Sequence, residues 1–298
     1  KIDKIWYQFP VKDNLFGGDV KGWVGPRIEN YYMLASSASI YRPVTKQFAN
    51  GGNGYTYGSS TSPGAGFAWI QNKDSRSDAR WAFSSNYAAS GGDSASKGLF
   101  TNETNGKWLS KLEYGSPRWQ VSIAGARHTC AQNSSGTTDC KQWASYYTTT
   151  KAEDLHGNTN SYALRGYWKP EETGFVPSVS LGYEWATHQN QDHADGTNYA
   201  DATPKESNSW MAGFMWKDAF IDENLLGFAF GAPHRATKIQ RGHRDLAGDA
   251  FTWELYYDHK LNDSVSVKPA FFGANDRNNG TAGANDWFGG LISTTFKF

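Results

Sequence analysis

An excess of charge of either sign is missing from this chain: 29 Lys and Arg stand against 29 Asp and Glu over 298 residues. No global field recruits nucleic acid or anionic lipid, so partners have to be read locally. Long apolar runs are missing as well. None approaches the ~20 residues of a membrane helix, which excludes a helical transporter and says nothing against a membrane barrel. The hydrophobic fraction is only 38%, yet aromatics alone make up 15%, with 13 Trp. A soluble domain of this length wants more aliphatic residues for its core, whereas a barrel needs apolar residues on only one face of each strand. Cysteine is reduced to Cys130 and Cys140, close together in a polar Ser/Thr/Gly/Asn stretch. That pair suits a loop disulfide in an oxidising compartment, and with one nearby His128 it falls short of a zinc site. No metal or cofactor is expected. Nor is a secretory leader visible, because Lys1-Ile2-Asp3 leads straight into a strand-like run; the expectation is a mature or truncated fragment.

What is present is alternation. The last stretch, Asp286 to Phe298, puts Phe288, Ile292, Phe296 and Phe298 on one face and Ser293, Thr295 and Lys297 on the other, the pattern of a strand between two solvents. Phe175 to Trp185 is clearer still. Phe175, Pro177, Val179, Leu181, Tyr183 and Trp185 share one face, opposite Val176, Ser178, Ser180, Gly182 and Glu184. Aromatics at both ends with aliphatics between them are the layout of a lipid-facing band with interfacial girdles. The same reading recurs in Ile2 to Val11 and Leu15 to Gly25, joined by a turn at Lys12-Asp13-Asn14, and in runs around Phe67, Trp81, Leu112, Val121, Leu164, Phe214, Phe228, Leu255 and Val267. Residues 143–150 are a further candidate for a short strand.

About thirteen strands result. Short turns, such as 169–174, 218–224 and 261–263, alternate with long polar loops, such as 187–206, 232–248 and 273–285, an asymmetry found in bacterial barrels. An odd count implies that an odd number of strands precedes them. Three would give sixteen, and Pro26 to Pro63, the longest irregular stretch, would then be the third external loop, the one that folds into the lumen of sixteen-stranded porins. The expected fold is therefore an all-β, antiparallel transmembrane barrel of sixteen-stranded porin type, one domain over residues 1–298.

Charges on the polar faces are Asp19, Lys21, Arg80, Lys111, Glu113, Arg118, Arg165, Glu184, Glu254, Asp258 and Lys268. In a barrel they line a wet pore and set its field; on an ordinary sheet they are a solvated face. The pore is preferred, because the opposite face is too aromatic for solvent. Arg27, Glu29, Arg42 and Lys46 are the candidates for a constriction within the long loop. Enzyme readings are poor. The seven His are scattered with no nucleophile spaced beside them, Gln191 to Gly196 lacks the ligand spacing of a calcium loop, and Gly51-Gly52-Asn53-Gly54 precedes no helix that could cradle phosphate.

Phe9-Pro10-Val11-Lys12-Asp13, the run Val24-Gly25-Pro26-Arg27 with Tyr41 beyond it, and Gly98-Leu99-Phe100 ahead of a strand together resemble the major outer-membrane porins of cyanobacteria, in the OprB-type family of carbohydrate-selective porins. The resemblance implies an integral outer-membrane barrel in contact with lipid, often a homotrimer. It also implies passive flux of inorganic ions and small solutes, carbohydrates among the candidates. The family's periplasmic wall-binding domain and first strands are not in this sequence. The competing expectation is a non-channel, glycan-binding β protein, which would stay monodisperse without detergent.

Overall fold

The computed structural model describes residues 3–52, 54–58, 61–92, 94–101, 104–129, 158–172, 174–188, 204–239, 250–275 and 286–297. Cys130, Cys140, residues 143–150 and Phe298 lie outside them. The described residues form one antiparallel sheet of thirteen strands in which every strand pairs with its neighbour in sequence. In order these are β1 (Ile5–Leu15), β2 (Gly18–Glu29), β3 (Thr61–Gln71), β4 (Arg80–Ser90), β5 (Asn105–Gly115), β6 (Trp119–His128) and β7 (Thr159–Trp168). They continue with β8 (Ser178–His188), β9 (Pro204–Lys217), β10 (Leu225–Ile239), β11 (Phe251–Asn262), β12 (Val265–Asn275) and β13 (Trp287–Phe296). Among the described residues helix is confined to two short 3-10 turns, Asn30–Tyr32 and Lys46–Gly51, both between β2 and β3. The edges β1 and β13 are not paired with one another among the described residues.

Strand formation follows from the two-residue period, which gives each strand one apolar and one polar face. Val121 (56%), Leu181 (55%) and Phe271 (52%) are exposed on one side of the sheet, whereas Ser180 (1%), Glu184 (0%) and Glu254 (0%) are covered on the other. The covered side is concave. Neighbouring strands are about 4.8 Å apart, so β6 and β10 would be separated by roughly 19 Å in a flat sheet. Yet the Tyr55 ring touches His128 of β6 at 6.5 Å, His188 of β8 at 4.8 Å and His234 of β10 at 4.5 Å between centroids. Only a sheet curled about this tyrosine brings those rings together.

Several boundaries differ from the sequence reading, each for a local reason. The turn after β1 is not at Lys12-Asp13-Asn14 but at Phe16-Gly17. These are the two central residues between the paired Leu15 and Gly18, with φ of 50° and 75°, the left-handed values that a two-residue hairpin matched to strand twist requires. β2 does not stop at Gly25. It continues through Pro26 to Glu29 across a break in register between Gly25 and Ile28, a bulge where proline's missing N–H costs no ladder bond. Arg27 and Glu29 therefore belong to a strand, not to the long loop. β8 begins at Ser178, just past Pro177, which has no amide hydrogen to donate.

Candidate functional site

The connection between β2 and β3 is the feature that sets the concave face apart. Instead of leaving the sheet, residues 30–52 and 54–58 run over it from β4 to β11 and back. The outgoing arm starts at Asn30, whose Nδ2 donates to Asn86 Oδ1 at 2.6 Å, while Asn86 Nδ2 donates to the carbonyls of Asn30 and Met33 at 3.0 Å each. The Ala35 amide then donates to Ser84 Oγ at 2.7 Å. Lys111 reaches the Ser36 carbonyl at 3.0 Å and that of Ser37 at 3.3 Å, and Gln120 Nε2 donates to Ser36 Oγ at 2.7 Å.

At the far end, Glu254 of β11 accepts four hydrogen bonds. They come from Tyr41 Oη at 3.0 Å, Val44 N at 2.9 Å, Thr45 N at 2.8 Å and Thr45 Oγ1 at 2.7 Å. A fully buried carboxylate is tolerated because every donor it meets belongs to the segment it holds. Tyr41 and Phe48 pack beside it against Met211, Met215, Ala229, Tyr256 and Ala270.

The returning arm is held by a buried ion pair. Arg165 Nη2 is 3.2 Å from Glu184 Oε2, and Arg165 Nε donates to the Asn50 carbonyl at 3.0 Å. The other Glu184 oxygen accepts from Thr56 N at 3.2 Å, and the Arg165 guanidinium lies over the Tyr57 ring at 5.4 Å. Lys107 Nζ donates to the carbonyls of Tyr55, at 3.1 Å, and Gly58. Backbones come very close here. A Cβ at Gly182 would overlap the Gly51 carbonyl oxygen, and one at Gly54 would overlap the Glu184 carboxylate. Burial pushes the phenols of Tyr41, Tyr55 and Tyr57 up. The nearby Glu254 adds to this for Tyr41 and Glu184 for Tyr55, so these hydroxyls stay protonated.

The sequence-derived charges thus separate into groups. Lys111, Glu113, Arg165, Glu184 and Glu254 are buried beneath the segment; their placement differs from the open pore lining expected for them, because the segment takes up the space that water would fill. Lys111 is also ion-paired to Glu113. Lys21 is half-buried over the Trp23 ring at 4.9 Å, and Lys268 pairs with Asp258 at 3.0 Å. Asp19, Arg80 and Arg118 sit at the short-turn rim. Asp19 accepts from Asn14 N and Asn72 Nδ2 at 3.0 Å each, Arg80 donates to the Ser75 carbonyl at 2.7 Å, and Arg118 pairs with Glu171. Of the four constriction candidates, only Arg42 and Lys46 lie on the segment, both exposed. Glu29 is buried with Thr61 Oγ1 donating to it at 2.6 Å, and Arg27 Nε donates to the Asp3 carbonyl at 2.7 Å.

Sequence reasoning missed the convergence of His128, His188 and His234 on Tyr55. Part of the signal was present: His128 and His188 share the covered parity of their strands and pair level through Thr159, but His234 has the outward parity of Phe228 and Phe230 and reaches the concave face only because a register shift between Ala232 and Arg235 turns β10 over. No group of three or more His, Cys, Asp or Glu is arranged to hold a metal ion among the described residues. No protein-family model matches the chain, and no curated protein matches it significantly.

Proposed function

We propose that the chain is the greater part of a sixteen-stranded outer-membrane porin, a water-filled barrel for passive diffusion of inorganic ions and small hydrophilic solutes, carbohydrates among them. The observation that carries this reading is the pairing of an exposed aliphatic and aromatic outer face with a concave face crossed by one inward segment. In water the outer face would be a very large apolar patch; in a bilayer it is the lipid contact, and strands of ten or more residues have the length a tilted crossing needs. The strict alternation of short and long connections supports the same reading. So do β1 and β13, which are exposed on both faces, as strands awaiting neighbours would be. Closure by three further strands would leave no edge in lipid.

Water in the lumen removes the several kcal/mol of desolvation that a polar solute meets in hydrocarbon. The concave charges are largely paired with each other, as in Lys111–Glu113, Arg165–Glu184 and Lys268–Asp258, so selectivity between ions of opposite sign should be weak. Localisation in the outer membrane and assembly as a homotrimer belong to the same proposal. Planar-bilayer recordings of the full-length protein in salt gradients, with competing sugars, test it: discrete conductance steps with reversal potentials near zero are expected. A protein monodisperse without detergent and silent in bilayers would be the glycan-binding β protein instead.

A further inference from the structure

Three strands that do not pair with one another each send a histidine to the same tyrosine. The rings of His128, His188 and His234 meet Tyr55 at interplanar angles of 84°, 62° and 76°. Behind Tyr55, one hydroxyl joins two of them: Ser207 Oγ is 2.8 Å from Nε2 of His188 and 2.8 Å from Nε2 of His234, while His188 Nδ1 is 3.1 Å from Thr159 Oγ1. A single Ser proton can go to one Nε2 while the other ring donates to the Ser oxygen, so two uncharged rings are satisfied together. Two charged rings would both donate to that oxygen and stand as neighbouring cations.

The charged groups around this cluster offer no relief. Lys107 of β5 pairs in register with His128 and is itself bound to the Tyr55 and Gly58 carbonyls. Glu184 of β8 is engaged by Arg165 of β7 and by Thr56, and Glu29 of β2 by Thr61 and Lys4. Tyr57, on the arm itself, lies against Arg165.

We propose that the histidine trio is a pH-sensitive latch on the returning arm, Gly54 to Gly58: uncharged rings hold Tyr55 against the wall, and protonation frees the arm to swing toward the lumen axis and narrow the channel. The arm now lies flat on the sheet, so the only direction open to it is inward. Histidine is the side chain whose charge changes between pH 7.5 and 5. A ring that packs only when uncharged weakens docking tenfold for each pH unit below its free titration near 6.5, and two rings weaken it roughly a hundredfold.

The latch borrows its conductance readout from the porin reading, so the test has two arms. Hydrogen exchange over residues 54–58 is followed in detergent micelles at pH 7.5 and pH 5, corrected for intrinsic exchange, and single-channel conductance is recorded at the same two pH values. At pH 5 the wild type should lose protection by roughly tenfold or more and conduct less. Replacing all three, His128→Gln with His188→Gln and His234→Gln, should make both readings independent of pH. If the triple variant does not fold, His234→Gln alone should still cut the response markedly, and only a response left undiminished by it counts against the latch. Unchanged protection in the wild type, or a response that survives all three substitutions, overturns the latch. A channel that conducts without responding sinks the latch and leaves the pore; a protein that responds in exchange but never conducts sinks the pore and leaves the latch.

Discussion

Two connections at the same end of the sheet, between β2 and β3 and between β4 and β5, have similar Gly, Ser and Asn contents, and their described residues have opposite fates. The first lies on the concave face. The second folds over the outer face, where Phe100 stacks on Tyr87 with ring centroids 4.2 Å apart and its amide donates to Tyr87 Oη at 3.3 Å. Phe100 does this in a left-handed conformation, φ 60°, with Leu99 and Phe100 still exposed, a backbone choice unusual for so bulky a residue. Loop composition therefore does not decide which way a connection turns. The strands beneath it do: acids and bases wait for the first loop, while Tyr87 and Trp108 wait for the second.

Substitutions on the strands should break this contrast in order of how many buried partners each removes. Arg165→Met leaves Glu184 charged and covered, and should cost about 3–5 kcal/mol in unfolding measured in detergent, with noisy, altered conductance. A stability unchanged by this substitution would mean that the ion pair does not hold the arm. Glu254→Ala strips four donors of their acceptor and should weaken docking of the outgoing arm by about 2–4 kcal/mol, read as loss of amide protection at Val44 and Thr45. Tyr87→Ala should release the outward loop for about 1 kcal/mol and leave conductance unchanged, since the rings it stacks on lie on the outer face; a changed conductance would erase the distinction between the two loops. Smallest of all, Glu171→Gln removes the partner of Arg118 at the rim, where both side chains are solvated, and should shift stability by under about 0.5 kcal/mol.

Much of the sheet was legible because alternation is a local signal. About thirteen strands were expected and thirteen are present among the described residues, and Leu181 and Ser180 face opposite ways as the pattern required. Boundaries slipped where proline misled: Pro26 suggested a loop start, but a bulge carries β2 past it. The inward course of the segment was anticipated, yet the role of the charges beneath it was not. Glu254 meets its donors 209 to 213 positions away and Glu184 meets Thr56 at 128, separations at which no periodicity speaks. The three histidines looked scattered along the chain for the same reason, since pairing through β7 and a register shift in β10, not spacing in sequence, bring them to Tyr55.

At Gly182 the strap's Gly51 carbonyl comes so close that not even a methyl group would fit, and a methyl at Gly51 would run into the Arg165 side chain. The wall and the strap upon it are consequently not free to drift apart in heredity. Any lineage that gains a side chain at position 182 must re-route the strap in the same step, so new shapes of the concave face should arise by moving or rebuilding the whole strap more readily than by gradual change at the spot where it rests.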